Sequence, residues 1–341
     1  MHFIRNISAM VLSAALLAPV FAQASTTILD AAGHEVQIPD ETSRIHAAGP
    51  PADVLLYVLK PDAMLGWVRA LPEDRRDYVL PEVRDLPSLG RLTGKGDTLN
   101  LEGLLKADPQ LILDYGNINA TYIDLAKRVT EQTGLPYLLL DGSFEKTPET
   151  LRALGAALGV AERGEGLAEA AEAIITGTRA LVEEIPEDQR PKVYLARSPD
   201  GLESAARGSI HSQIIELAGG INVAEGSTSG LITVSPEQLH LWAPDIIITL
   251  DEGFAKNAAS SPELAGIPAI DNGRIFLAPV APFGFIDAPP SVNRLLGLRW
   301  LAAKFHPEQA RAGLGDDVRD FYRLFYQVEL SDAQLQTLVG E

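Results

Sequence analysis

Arginine and aromatic side chains recur in this sequence close after short apolar segments of the strand type. The set comprises Trp67, Arg91, Tyr115, Arg197, Arg207, His211, Phe283 and Phe285. Arginine offers planar, bidentate donors to carboxylate or catecholate oxygens, and aromatic rings supply apolar walls with one polar edge. Loops that follow parallel strands are where open sheets bind ligands. The set therefore predicts a binding site for a bulky anion.

Several members of this set also fit simpler roles. Trp67 ends an apolar segment and fits a core position as well as a pocket wall. Tyr115 precedes a Gly-Asn turn and Arg207 precedes a Gly-Ser pair at a predicted helix entrance, where anions bind readily. Arg91 and Arg197 fit solvated loop charges equally well. The pocket assignment is the hypothesis that the structure has to test.

Resident metals and catalytic motifs are not predicted. The histidines after residue 24 are His34, His46, His211, His240 and His306, and they form no close pair. A metal site needs several converging ligands, so we expect His211 to be a helix cap or pocket residue. There is no HExxH and no dinucleotide fingerprint, and residues 90–96 are one residue short of a P-loop. We expect no catalytic residues and no intrinsic cofactor.

These side chains must be positioned by two stretches in which strand and helix patterns alternate. The first follows a predicted hairpin at 26–40 and the second starts after residue 190. The predicted strands are 44–48, 63–68, 111–114, 137–140, 193–196, 246–250 and 275–277. Helices are predicted at 52–59 and 211–219, among others. The pattern predicts an α/β fold of two Rossmann-like lobes with mainly parallel sheets.

A helical segment separates the two stretches. Residues 148–184 are rich in Ala, Leu and Glu, and 160–185 would form a helix on the order of 37 Å long. The predicted domains are a signal peptide at 1–24, an N-terminal lobe at 25–147, a helical connector at 148–186 and a C-terminal lobe at 187–341. A single long α-helix in the connector would join the lobes semi-rigidly.

The N-terminus has the features of a secretory signal. Arg5 precedes an apolar stretch at 7–21, and Ala22 to Ala24 gives a small-x-small cleavage site. The apolar stretch is shorter than the roughly 20 residues that span a bilayer. The chain has no cysteine, which excludes disulfides and a lipid-modified cysteine. We therefore predict cleavage after about Ala24 and release into a periplasm, without membrane insertion.

The formal net charge of −18 argues against nucleic acid or an anionic membrane as the partner.

An internal sequence repeat indicates two related lobes. Glu102 lies two residues before a leucine and seven before a proline, and an apolar strand pattern follows. Glu237 has the same neighbours at the same offsets. Such repetition indicates a shared architecture in the two lobes.

Four segments together resemble the periplasmic iron-siderophore and cobalamin binding proteins, the helical-backbone class III of ABC substrate-binding proteins. They are 101–115 (LEGLLKADPQLILDY), 214–224 (IIELAGGINVA), 235–248 (SPEQLHLWAPDIII) and 287–301 (DAPPSVNRLLGLRWL). The resemblance covers nearly all of the chain after the signal. It implies two α/β lobes joined by one long helix, with the ligand between them and limited closure.

The resemblance also implies partners. In this family one glutamate on each lobe docks onto arginines of the permease, and Glu102 and Glu237 stand at the matching positions. The helix dipole alone also favours glutamate in a first helical turn. The implied partners are an ABC permease and its ATPase in the inner membrane, with the protein itself a monomer. The expected ligand is a ferric siderophore or a similar iron(III) chelate.

Other ligands and roles stay open at this point. Within the class they are a molybdate or tungstate oxyanion, heme and cobalamin. Outside it they are a periplasmic metal-complex-processing enzyme and a sensory receptor. An oxyanion needs a small pocket of backbone N–H groups and serine, whereas a chelate needs a wide aromatic and basic cleft. The volume and lining of the cavity therefore discriminate between the two leading ligand classes.

Overall fold

The computed structural model describes residues 25–94, 99–226 and 230–340, so the predicted signal peptide at 1–24 lies outside the described residues. The chain opens with the predicted hairpin, in which strand β1 (Ser25–Leu29) pairs antiparallel with β2 (Glu35–Pro39). The carboxylate of Asp30 accepts the backbone N–H groups of Ala32 and His34 in the turn. This hairpin is confirmed.

The first half of the chain builds a parallel sheet in the order β3-β4-β5, covered by three helices. The strands are buried almost throughout, which fits their continuous apolar runs. The elements are β3 (Ile45–Ala47), α1 (Pro50–Leu59), α2 (Leu101–Ala107), β4 (Leu111–Gly116), α3 (Ala120–Thr133) and β5 (Tyr137–Asp141).

The strand predicted at 63–68 was wrong. Met64 and Trp67 make only single bridges, to Ile45 and Ser88. The backbone N–H of Val68 is bound by the carboxylate of Asp53 in α1, at 2.8 Å, in place of a neighbouring strand. The N–H groups of Leu65 and Trp67 bind single carbonyl oxygens, those of Ile45 and Pro87. An apolar run can thus be buried without joining a sheet when isolated backbone and side-chain acceptors satisfy it.

The middle of the chain folds as α4 (Thr147–Ala157) and α5 (Ala161–Glu183), so the predicted long helix at 160–185 is confirmed. The two helices touch where Gly155 meets Gly164, and a Cβ atom on Gly164 would lie 2.7 Å from the carbonyl oxygen of Leu151. Arg152 in α4 also binds two glutamates of α5. Small residues and ion pairs therefore hold α4 against α5.

The second half builds a parallel sheet in the order β11-β10-β6-β8 and a small antiparallel pair, β7 with β9. The predicted two-sheet α/β architecture is therefore confirmed. The strands are β6 (Lys192–Ala196), β7 (Glu203–Ala205), β8 (Ile221–Asn222), β9 (Leu231–Thr233), β10 (Ile246–Thr249) and β11 (Ile275–Leu277).

Helices surround the second sheet and extend to the C-terminus. They are α6 (Gln213–Leu217), α7 (Pro236–Trp242), α8 (Glu252–Asn257), α9 (Pro268–Asp271), α10 (Arg294–Phe305), α11 (Pro307–Ala310), α12 (Leu314–Phe321) and α13 (Asp332–Val339), with a π-helical turn at Tyr322–Tyr326. Helix α6 is shorter than the 211–219 predicted. No helix in the described ranges is long and apolar enough to cross a membrane.

The two halves share a core. Tyr57 and Trp67 from the first half pack against Phe283 and Tyr326 from the second, with ring centroids 5.5 to 6.1 Å apart. The hydroxyl of Tyr57 donates to the carbonyl oxygen of Tyr326 at 2.5 Å. Aromatic burial of this kind is the largest packing contribution that single side chains make, so the two halves are firmly connected beneath the cleft.

Candidate functional site

A cavity of about 600 Å³ opens between the two halves. Both contribute to its walls, and Pro50 and Arg197 closely follow the parallel strands β3 and β6. The first half supplies Pro50, Trp67, Arg69, Arg75 and Arg91, and the second supplies Arg197, His211, Phe283 and Asp287, among others. Proline-rich segments, 50–51 in the first half and 289–290 in the second, form part of the same lining.

The structure brings most of the sequence-predicted pocket residues together. Trp67, Arg91, Arg197, His211 and Phe283 all line this cavity. Tyr115 lines a smaller adjoining cavity of about 160 Å³, which also contacts His211. Because His211 and several prolines belong to both linings, the small cavity is a side chamber of the large one.

Arg207 and Phe285 do not join them. Arg207 donates to the carbonyl oxygen of Asn222 at 2.7 Å and pairs with Glu216 at 3.4 Å, at the surface of the second half. Phe285 is fully buried, and its carbonyl oxygen lies against Gly297 of α10. Arg207 is therefore held by groups of the second half, and Phe285 belongs to the hydrophobic core.

Trp67 is both a core residue and part of the cavity wall, the two roles considered for it. The indole lines the cavity yet is 2% exposed, and its Nε1 donates to the carbonyl oxygen of Val83 at 2.7 Å. Phe283 packs on it with ring centroids 5.9 Å apart. The cavity wall is therefore a rigid edge of the aromatic core.

Asp287 is a site residue that was not predicted from the sequence. Its buried carboxylate binds Arg197 through two nitrogens, at 2.8 and 2.7 Å, and the Nδ1 of His211 at 2.9 Å. Burial favours the protonated acid, but the His211 hydrogen bond and the adjacent charges outweigh it and lower the pKa of Asp287. The ionised carboxylate thus fixes both cleft side chains.

Other charged groups of the lining were also missed. Arg69 and Arg75 face the cavity and form no ion pair within the described ranges. Asp53 in α1 is buried, and burial raises its pKa well above the usual value despite the N–H bond from Val68. The neutral acid is therefore favoured at Asp53, and the balance of charge in the cavity is positive. No local pattern marks these residues as pocket residues, since the two arginines follow the segment wrongly predicted as a strand and Asp53 lies within the predicted helix at 52–59.

The side chamber has a different chemistry. Asp114 of β4 is buried in its wall and accepts the hydroxyl of Tyr137 at 2.9 Å. Burial raises the pKa of Asp114 to about 6. At neutral pH this wall therefore carries a negative charge, in contrast to the arginines of the main cavity.

Glu102 and Glu237 lie away from both cavities, each exposed in the first turn of α2 or α7. The hydroxyl of Ser235 holds the pKa of Glu237 below its usual value. The docking role of the two glutamates stays a prediction. Within the described ranges no three His, Cys, Asp or Glu side chains cluster to hold a metal ion.

Comparison with known proteins places this fold and cleft in one class. The profile of the family described as "Periplasmic binding protein" matches residues 73–281, more than half of the chain. The structure of an ABC transporter solute binding protein from Sulfurospirillum deleyianum superposes with a TM-score of 0.84 at 30% identity, over 92% of this chain and 99% of that one. The chain belongs to the periplasmic binding protein family, in class III, and is a solute-binding component of an ABC transporter.

More distant relatives carry different ligands in their names. The molybdate-binding protein MolA of Haemophilus influenzae is 25% identical over 330 residues, 90% of this chain and 92% of MolA. A protein of an ABC-type Fe3+-hydroxamate transport system from Saccharomonospora viridis is 18% identical, with a TM-score of 0.62 over 82% of this chain and 99% of that one. The second likeness concerns the fold alone.

Proposed function

We propose that this protein captures an anionic metal chelate of the ferric siderophore type in the cleft and delivers it to an inner-membrane permease. The main observation that supports this proposal is the cavity of about 600 Å³, in which arginines from both halves face an aromatic wall. Its volume falls within the roughly 300–1,000 Å³ of small-molecule sites. Arg69, Arg75 and Arg91 match carboxylate or catecholate oxygens around a chelated metal.

His211 and Arg197 are held by Asp287, so the second half presents these groups in a fixed geometry. Preorganised donors of this kind lose less conformational entropy on binding than mobile ones. The site therefore suits capture of a dilute ligand.

A molybdate-type oxyanion is the second candidate, because MolA is named as a molybdate-binding protein. The side chamber of about 160 Å³ is close to the space of a five-atom oxyanion, about 150 Å³ if each atom takes the roughly 30 Å³ of a water molecule. However, the Asp114 carboxylate in its wall repels an anion at neutral pH. The negative charge of this chamber thus favours a metal chelate over an oxyanion as the ligand of the protein.

The test is native mass spectrometry of the periplasmic protein, with tryptophan-fluorescence titrations of ferric catecholates, ferric hydroxamates, molybdate and heme. Trp67 in the cavity wall should report binding. We expect a ferric chelate to bind, and Arg69→Ala and Arg75→Ala to weaken it roughly tenfold each, since each removes a charge-assisted contact.

Arg323→Ala, at an exposed ion pair outside the cavity, is the matched control and should bind as the parent does. A response to molybdate alone would overturn the chelate and leave the transport role intact. Binding of heme alone, or of none of these compounds, would reject the chelate as well.

A further inference from the structure

The side chamber adjoins the main cavity but carries the opposite charge. Among the described residues that line the chamber, Asp114 is the only acidic group, and none is a lysine or an arginine. The lining of the main cavity includes Arg69, Arg75, Arg91 and Arg197. The two connected spaces therefore favour groups of opposite charge.

The carboxylate of Asp114 is buried without a cationic partner among the described residues. The side chain is 4% exposed, and its partner is the neutral hydroxyl of Tyr137, at 2.9 Å. The buried carboxylate of Asp287, by comparison, is paired with Arg197 and His211. Buried charges in proteins are normally paired, because removing a lone charge from water is costly. A cationic group of the ligand would complete the pair at Asp114.

The size and lining of the chamber favour an alkylammonium group over a metal ion. Its volume of about 160 Å³ is the space of about five heavy atoms at roughly 30 Å³ each, which is that of a four-carbon amine. Asn117 and Tyr122 also line it and carry further oxygen acceptors for the three N–H donors of an ammonium group. Calcium takes about six to eight oxygen ligands, whereas this lining has one carboxylate.

We propose that the side chamber is an ammonium subsite, which holds a protonated amine of the ligand against Asp114 while the arginines of the main cavity hold its anionic metal-binding oxygens. This inference rests on the capture role in the proposed function and narrows the ligand to chelates that carry an amine. Pro50, His211 and Pro290 line both spaces, so one molecule can occupy both. A chelate without the amine leaves Asp114 unpaired, which makes the subsite a determinant of specificity.

The first test uses a small probe and does not depend on the identity of the chelate. The mature protein is titrated with n-butylammonium chloride, and with 1-butanol as the uncharged probe of equal size, by ligand-observed NMR. We expect the amine to bind at least tenfold more tightly than the alcohol. Asp114→Asn should lose this preference, because it removes the charge and keeps an acceptor for Tyr137. Asp320→Asn, at an exposed ion pair, is the matched control.

A second variant tests the location of the probe without changing Asp114. Gly116 lines the chamber, and a Cβ atom there would meet no atom within 4 Å. Gly116→Leu should therefore fold and obstruct the chamber, and weaken binding of butylammonium about tenfold. Gly166→Leu, at a helix position that is equally open, is its control. Circular dichroism of all four variants verifies that they are folded.

Equal binding of the amine and the alcohol by the parent would overturn the ammonium subsite. Parent-like binding of the amine by both Asp114→Asn and Gly116→Leu would also overturn it. Displacement of butylammonium by equimolar calcium chloride would assign the chamber to a metal ion instead.

A pair of ferric chelates separates this result from the proposed function. Ferrioxamine B and its N-acetyl derivative differ only at the terminal amine, and we expect the parent to prefer ferrioxamine B about tenfold and Asp114→Asn to bind both alike. If the parent binds the two chelates equally, the chelate assignment stands and the ammonium subsite falls. If no ferric chelate binds while butylammonium still binds at Asp114, the subsite stands and the chelate assignment falls.

Discussion

At the scale of single residues, the cleft depends on carboxylates whose environments differ. Asp287 keeps its charge between Arg197 and His211, whereas burial favours the neutral acid at Asp53. The sequence predicted Arg197 and His211, since they follow a strand and enter a helix. It could not predict Asp287 as their partner, because a contact 76 or 90 residues away along the chain depends on how the loops fold.

Asp114 should make stability pH-dependent. Burial raises the pKa of Asp114 in the folded protein to about 6, above the ordinary aspartate value of 3.8, so the unfolded chain releases this proton at lower pH. Stability from this group is therefore full below pH about 4 and is lost as pH rises to about 6. A shift of this size corresponds to about 3 kcal/mol. We expect Asp114→Asn to remove this part of the pH dependence.

Urea unfolding of both proteins at a series of pH values measures this effect. The free energy of the parent, relative to Asp114→Asn, should fall between pH about 4 and 6 and then stay level. Asp320→Asn, at an exposed ion pair, serves as the control. A difference between parent and Asp114→Asn that is constant with pH would show that Asp114 is ionised like an ordinary aspartate.

At the scale of elements, apolar runs with clear ends were predictable. Strands β4 and β10 each open with three apolar residues (LIL and III) shortly after a proline, and both begin where predicted. The run at 63–68 failed, because Asp53 from the preceding helix takes the N–H that a strand partner would need. Such an apolar run predicts that the segment is buried. It does not predict which groups accept the hydrogen bonds of its backbone N–H groups.

Two glycines in α5 also show that the local sequence does not predict tertiary contacts. In sequence, Gly164 and Gly166 both weaken a helix. In the structure, a Cβ on Gly164 would lie 2.7 Å from the Leu151 carbonyl, while Gly166 has open space. We expect Gly164→Ala to destabilise the protein by about 2 kcal/mol through overpacking, and Gly166→Ala to stabilise it by about 0.5–1 kcal/mol.

Thermal and urea unfolding of these two variants provide the measurement, and each serves as the control for the other. Both replacements add the same methyl group to one helix, so propensity alone predicts equal stabilisation. Equal effects would mean that α4 and α5 do not approach closely at Gly155 and Gly164.

At the scale of the whole molecule, two lobes were predictable from the repeated pattern, but the contacts between them were not. Arg294 is fully buried and donates to carbonyl oxygens from both halves, Gly142 at 2.8 Å and Ile210 at 2.7 Å. The sequence alone does not indicate that the first residue of α10 joins the halves.

We expect Arg294→Lys to lower the free energy of unfolding by about 3 kcal/mol. An ammonium group cannot span both carbonyls, so a buried polar group is left unsatisfied beside a buried charge. Urea unfolding followed by tryptophan fluorescence and by circular dichroism gives the value. The unfolding transitions that the two probes report should also no longer coincide, because the halves are less strongly coupled.

Arg299→Lys is the control, since Arg299 binds Asp317 and two carbonyls within the second half only. It should lose stability without separating the two transitions. Parent-like unfolding of Arg294→Lys would show that the aromatic core beneath the cleft suffices to couple the halves.

The exposure of Leu241 has a consequence for the concentrated protein. Exposed apolar side chains favour association between protein molecules, whereas a net charge far from zero opposes association because the molecules repel one another. The formal charge of −18 vanishes as the pH approaches the isoelectric point near 4.7, while the leucines of α2 and α7 stay exposed. Acidification of a concentrated solution should therefore turn it turbid, with Leu241 of α7, which is 78% exposed, among the first points of contact between copies.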